Sequence, residues 1–261
     1  MKLSKFINVT VTTALIGLVA SSAQAISLST YRVYLDNDNN TASFVMFNKG
    51  GVPETCSLSL VHNNFSEDGK MLPQDGNELP DNSAEPWMRY SPRSFTVAPR
   101  SPQTVRFTIR RKSNTTPAEY RSYLRVSCDK VEEPINSTVT NSNNNSAKLT
   151  VQPRIVQNVP VIVRTGKLDA SLKFDDFNVA DGKVSFSISR EGGRSVYGKL
   201  EAIDKSNNEM ITFRSNVSIY PEVKKVMYSL DINDMPADQV AIRFTEDTKY
   251  GGSITHQQDV R

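Results

Sequence analysis

The sequence predicts an all-β protein built from two β-sandwich domains. Segments in which apolar and polar residues alternate at period two fill most of the chain, and no long run follows the helical period. Turn residues such as Gly50-Gly51, Gly192-Gly193, Asn207-Asn208 and Gly251-Gly252 separate these segments at about ten-residue spacing, the pattern of a sandwich. A chain of 261 residues suits two domains, each able to bury a core without a metal.

Taken in order, the chain opens with Lys2 and Lys5, continues through an uncharged apolar run and reaches Ala23-Gln24-Ala25, a small-x-small cleavage signal. This reads as a secretory leader cut after Ala25. The alternative is a membrane anchor, but Asn8 and the Thr and Ser residues of the run make a poor span. No later stretch is apolar enough to cross a bilayer. The remaining 236 residues (261 less 25) hold 29 basic and 28 acidic side chains, a net of +1. That balance excludes a bulk electrostatic partner such as nucleic acid.

Strands are expected over Leu28 to Leu35, with Arg32 inside, then over Ala42 to Asn48 and Cys56 to Val61. A polar loop rich in Asp, Asn, Gly and Pro runs from Asn63 to Glu85. Trp87 to Val97, Thr104 to Arg110 and Tyr120 to Cys128 follow as strands. Cys56 and Cys128 each fall on the apolar side of their strand, so a bridge between neighbouring strands is geometrically reasonable. In an exported chain such a pair reads as a disulfide, closing a loop of about 70 residues and stabilising by about 4 kcal/mol.

Asp129 to Lys148 is a tract of Asn, Ser, Thr and Glu with little apolar content, either a tolerated insertion or a binding loop. Lys148 to Arg164 then alternates again. Leu149, Val151, Pro153 and Ile155 share one face, while Thr150, Gln152 and Arg154 face the other way. Pro153 and Pro160 lack the N–H that an interior strand donates, which places this strand at a sheet edge. Its apolar row either fills its own core or is offered to another chain.

Arg164-Thr165-Gly166-Lys167 reads as a boundary. It divides a first domain, 26–163, from a second, 168–261, with 164–167 as linker and 1–25 as leader. In the second domain strands are expected over Leu168–Phe174, Lys183–Ser189, Tyr197–Ile203, Met210–Phe213, Val217–Tyr220, Gln239–Phe244 and Ser253–His256. Two all-β domains on a short linker meet at an angle and leave a cleft.

Enzyme motifs are missing. The chain has no Gly-x-Ser-x-Gly turn, no His-Glu-x-x-His and no phosphate-cradling loop. Ser195 sits in a turn with no His nearby in sequence, Asp175-Asp176 reads as a solvated pair, and any scattered triad must use His62 or His256. Two cysteines and two distant histidines lack zinc-site spacing, so no metal or cofactor is expected. Arginines are the more informative residues: Arg32 in an otherwise apolar strand, Arg121 opening the Cys128 strand, and Arg89 and Arg93 flanking Tyr90-Ser91-Pro92. Each is suited to bidentate carboxylate binding, and each by type alone is as well read as an ordinary ion-pair partner.

In this order the segments resemble the PapD-like periplasmic chaperones of pilus assembly, with most likeness to the archaic branch of the chaperone–usher pathway. The residues that support the resemblance are Tyr31-Arg32-Val33-Tyr34-Leu35, Ser43–Asn48, Tyr90-Ser91-Pro92-Arg93 and Gln103-Thr104-Val105-Arg106. They continue with Glu119-Tyr120-Arg121-Ser122-Tyr123-Leu124-Arg125, Val151-Gln152-Pro153-Arg154, Val159–Arg164, Gly192-Gly193-Arg194-Ser195 and Tyr220-Pro221.

The resemblance implies two immunoglobulin-like sandwiches in an L or boomerang, and a non-catalytic periplasmic protein. Its partners would be pilus or fimbrial subunits, each lacking its last strand, and an outer-membrane usher, with no membrane insertion once the leader is cut. The chaperone lends its edge strand to the subunit's groove and holds the subunit's C-terminal carboxylate with basic residues in the cleft. Arg32 matches the first-strand cleft arginine, and Leu149, Val151 and Ile155 match the donor row. Alignment on Arg164 puts Pro160 where the family has a second basic anchor, a lysine. Arg121 is the first substitute, because its strand should run antiparallel beside the donor strand, and Arg89 and Arg154 come next. Arg32 is expected to stay partly wet in the free cleft, since a lone buried guanidinium is costly. The competing reading is an exported structural pilus subunit or adhesin.

Overall fold

The computed structural model describes residues 26–72, 79–110, 116–131 and 155–261. The leader, most of the 129–148 tract, and Leu149, Val151 and Arg154 lie outside them. Among the described residues the only helical segments are single turns, and no helix is long and apolar enough to cross a membrane.

The first sandwich is made of β1 (Ser27–Leu28), β2 (Val33–Leu35), β3 (Thr41–Phe47), β4 (Glu54–Val61), β5 (Met88–Ser91), β6 (Ser94–Val97), β7 (Pro102–Ile109), β8 (Ala118–Lys130) and β9 (Val156–Thr165). One sheet has the order β1-β3-β7-β5, the other β2-β9-β8-β4-β6. Alternation decides which residues fill the space between. Phe44 and Met46 of β3, Cys56 and Leu58 of β4, and Val105 and Phe107 of β7 point inward, with exposed Ser43, Ser57 and Arg106 between them. The stretch expected as one strand from Leu28 to Leu35 is split. β1 pairs with β3 and β2 with β9, so the chain changes sheet around Arg32.

Cys56 and Cys128 lie directly opposite each other in the β4–β8 ladder and are joined by a disulfide. The matched inward parity read from the sequence is therefore realised as a cross-strand bridge.

The second sandwich pairs β10 (Ala170–Ala180), β11 (Lys183–Gly192) and β14 (Lys225–Asp231) in one sheet, in that order. The other sheet has the order β13-β12-β15-β16, with β12 at Val196–Asp204, β13 at Met210–Ile219, β15 at Val240–Glu246 and β16 at Thr255–Asp259. Phe174, Phe186, Ile188, Leu200, Ile242 and Phe244 fill this core. The two segments expected at Met210–Phe213 and Val217–Tyr220 are one strand interrupted by a bulge. Asn216 takes a φ of 59° there and accepts a 2.6 Å hydrogen bond from the Tyr197 hydroxyl. β14 was not expected.

β9 serves both cores. Val159, Val161 and Val163 pack into the first, while Ile162, on the opposite face, belongs to the second. The C-terminal half of β9 is thus buried on both faces, because the second sandwich covers the face that would otherwise meet water. β9 ends at Thr165 and β10 begins at Ala170, so residues 164–167 span the strand end and the turn after it.

Candidate functional site

The strand that the sequence singles out as an edge has two different halves. β8 runs antiparallel along all of β9, with Arg121 opposite Ile162 and Tyr123 opposite Pro160. On the other side β2 runs parallel and covers only Val161, Ile162 and Val163, through Val33, Tyr34 and Leu35 respectively. Among the described residues, Val156 to Pro160 have no strand on that side. Ile155 and Val156 lead into this half with 48% and 42% of their surface exposed. Val33 faces Val161, so Arg32 sits at the level of Pro160, where the open edge meets the start of β2.

A local turn fixes Arg32 there. The Thr30 hydroxyl accepts from the Arg32 N–H at 3.3 Å, donates to the Arg32 carbonyl at 2.9 Å, and shares a 2.8 Å hydrogen bond with the Tyr250 hydroxyl of the second sandwich. The Arg32 side chain reaches the same sandwich. Its Nη2 donates to Ser218 Oγ at 3.3 Å, and its guanidinium lies 4.4 Å from the Tyr197 ring centre and 5.8 Å from that of Tyr220. Nε and Nη1 are buried with no hydrogen-bond partner among the described residues.

Arg32 is only 1% exposed, which corrects the expectation of a partly wet side chain. Two tyrosine faces replace the missing water, each such contact being worth about 0.5–2 kcal/mol. Burial and the nearby Tyr250 push the Tyr197 hydroxyl above its ordinary pKa, against the pull of the Arg32 charge.

Arg121 lies against the same tyrosine, its guanidinium 4.0 Å from the Tyr220 ring centre and 5.2 Å from that of Phe65. Its charge is matched. Nη1 donates to Glu222 Oε2 at 3.2 Å, Nη2 donates to Glu222 Oε1, and Nη2 also donates to the Asn63 carbonyl at 2.8 Å. Burial works against the cation, but Glu222, Tyr123 and Tyr220 outweigh it and hold Arg121 above its ordinary pKa.

The structure therefore brings Arg32 and Arg121 to one aromatic group and distinguishes them: among the described residues the first has no carboxylate, while the second has a fork-to-fork pair. Arg89 is exposed on β5, in the other sheet.

Behind this site one ion pair holds the sandwiches together and a second braces the turn of the second sandwich that meets it. Arg164 donates from Nε to Glu119 Oε2 at 2.7 Å, from Nη1 to the carbonyls of Tyr250 and Gly251, and from Nη2 to the Ser195 carbonyl at 3.0 Å. The Ser195 N–H donates back to Glu119. Arg194 donates to both oxygens of Glu246, at 2.6 and 3.0 Å. The Gly192-Gly193-Arg194-Ser195 turn delivers these partners. At Gly192 a φ of 99°, and the Asp169 carbonyl oxygen 2.5 Å from where a Cβ would sit, exclude any larger residue.

As site residues Tyr197, Ser218, Glu222 and Glu119 are not predicted by the sequence. Glu119 is the first residue of the motif that contains Arg121, and Glu222 directly follows the Tyr220-Pro221 pair.

His62 does meet a serine and a glutamate. Its Nδ1 is 3.3 Å from Ser122 Oγ and its Nε2 is 3.4 Å from Glu85 Oε2. Ser122 is fully buried and accepts from the Ala84 N–H at 3.1 Å, so the group braces the loop before β5 and offers no exposed nucleophile. Among the described residues no cluster of three or more His, Cys, Asp or Glu is placed to hold a metal.

No protein-family model and no curated protein sequence matches the chain. Solved structures do. The crystal structure of the YadV chaperone superposes with a TM-score of 0.50 at 13% identity, covering 90% of this chain and 98% of that one. The CupB2 chaperone of Pseudomonas aeruginosa gives 0.48 at 14%, covering 90% and 100%. The SafB chaperone, solved with the Salmonella enterica SafA pilin, gives 0.48 at 13%, covering 92% and 98%. The all-β, two-sandwich architecture of this chain is thus the fold seen in the YadV chaperone.

Proposed function

We propose that the protein is a periplasmic chaperone that caps pilus or fimbrial subunits by donor-strand complementation and delivers them to an outer-membrane usher. One observation supports this reading above the others: an unpaired guanidinium, Arg32, stands where the open edge of β9 runs into β2. A strand added to that edge in the same direction as β9 would end against Arg32 and bring its terminal carboxylate there. Backbone hydrogen bonds along the edge would supply affinity, and the carboxylate would fix the register.

In this reading Leu149, Val151 and Ile155 form the donor row that fills the subunit's groove. Arg32 is the carboxylate anchor, while Arg121, the expected helper, is already paired with Glu222. The 164–167 segment is the linker between domains 26–163 and 168–261. Neither catalysis nor a cofactor is involved.

The test is purification from periplasm. The wild-type protein should co-purify with a small all-β subunit. Val151→Asp, which places an unpaired charge in a dry groove, should abolish the complex while leaving the free chaperone folded. A Val151→Asp protein that unfolds would show that Val151 belongs to the chaperone's own core. Recovery of the wild-type protein free of any such subunit would sink the proposal.

A further inference from the structure

We propose that Glu222 sets the charge selectivity of the cleft: by occupying Arg121 it leaves Arg32 as the cleft guanidinium without a carboxylate among the described residues, so the site prefers a strand ending in one carboxylate to one ending in two. This rests on the reading of Arg32 as a carboxylate anchor.

Both arginines border the Tyr220 ring, 5.8 and 4.0 Å from its centre. Both are buried, and what differs is the partner: Arg32 is 1% exposed and meets no carboxylate among the described residues. The Arg121 side chain is 3% exposed, and the Glu222 carboxylate in front of it is 24% exposed. An anion arriving from solvent therefore meets Glu222 before it meets Arg121. The fork-to-fork pair uses both terminal nitrogens of Arg121, and the Asn63 carbonyl takes a further bond from Nη2.

Glu222 is also held in place. It lies in the turn between β13 and β14, where the Val223 N–H donates to the Tyr220 carbonyl at 3.0 Å and Arg190 Nη2 donates to the Pro221 carbonyl at 2.7 Å. The loop after β4 fastens the turn from the first sandwich, since the Glu67 carbonyl accepts from the N–H groups of Lys224 and Lys225 at 2.9 and 3.1 Å. A single carboxylate balances the charge of Arg32. Among the described residues a second one finds no free cation at this ring and faces the negative charge of Glu222, and like charges juxtaposed in a partly desolvated site are strongly disfavoured.

The experiment titrates the mature protein with three forms of one short synthetic strand peptide: free C-terminus, amidated C-terminus, and free C-terminus with a final aspartate. The wild-type protein should bind the singly charged form about tenfold more tightly than the aspartate-ended form, and the amidated form most weakly. Glu222→Gln should reverse the order of the first two. Because Glu222→Gln leaves Arg121 buried without its carboxylate, the Arg121→Gln/Glu222→Gln variant is measured beside it and should bind the two free-acid forms alike. If both variants keep the wild-type preference, Glu222 does not set selectivity, although the anchor reading stands. Wild-type binding indifferent to amidation overturns the anchor reading and this inference with it.

Discussion

Arg164 and Glu119 are register partners across β9 and β8 and form an ion pair at 2.7 Å with side chains only 6% and 2% exposed. Ser195 of the second sandwich completes the group: its N–H donates to Glu119 and its carbonyl accepts from Arg164. The junction between the sandwiches is therefore a closed polar network. Burial works against the Arg164 charge, but Glu119 and Tyr34 outweigh it and hold its pKa above the ordinary value.

Removing one partner of such a buried pair leaves the other unpaired and typically costs about 3–5 kcal/mol. Arg164→Ala is expected to lower unfolding stability by that order in urea titrations, and small-angle scattering should show a wider spread of inter-sandwich angles. An unchanged midpoint with an unchanged scattering profile would show that the network does not fix the angle.

The Glu246–Arg194 pair within the second sandwich is acid-sensitive. Burial pushes its carboxyl up, but Arg194 and the N–H groups of Ile254 and Ser253 prevail and hold it below the ordinary 4.5. A depressed carboxylate stabilises the fold above its unfolded-state pKa and loses that contribution as pH falls through the lower folded-state value. Glu246→Gln should therefore be less stable than wild type by about 3–5 kcal/mol at neutral pH. The gap should narrow once pH drops below 4.5, the ordinary value. A gap that stays constant across the acid range would show that the Glu246 charge contributes nothing.

The disulfide closes a separation of 72 residues. In the chain-entropy account this is worth about 4 kcal/mol, and replacing both cysteines by serine should cost about 2–5 kcal/mol. Unfolded protein taken from periplasm should show no free thiol, and a count of two would contradict the oxidised state.

Legibility in the sequence followed the range of the interaction. Cys56 and Cys128 could be paired because the parity of each depends on its own strand alone. The neighbours of β9 were harder. Antiparallel β8 could be expected beside it, but the parallel contact with β2 requires the chain to change sheet between Leu28 and Val33, and an apolar alternation does not reveal which sheet it joins. β14 was missed because Val226-Met227-Tyr228 breaks the alternation, and Met227 is 59% exposed. At the site, Arg32 and Arg121 stand out as charges within strands. What distinguishes them is Glu222, 101 residues from Arg121 in the chain, and no local pattern announces that contact.

Arg32 should matter for binding and little for folding. Its Nε and Nη1 are buried without partners among the described residues, and an uncompensated buried cation costs several kcal/mol. The Tyr197 and Tyr220 faces and the Ser218 hydroxyl offset part of this cost. Arg32→Met keeps an apolar stem against the rings and removes the charge, so the free protein should be at least as stable as wild type, within about 1 kcal/mol or better. The same variant lacks the fork that would receive a carboxylate. Truncating one partner of a buried charge pair costs about 2–5 kcal/mol in binding, so affinity for a strand peptide with a free C-terminus should fall by a factor of tens to thousands. Affinity for the amidated peptide should hardly change, because that peptide makes no such pair. A melting temperature that drops by many degrees in Arg32→Met would identify Arg32 as a structural brace between the sandwiches. An equal loss for free and amidated peptides would place the carboxylate elsewhere in the cleft.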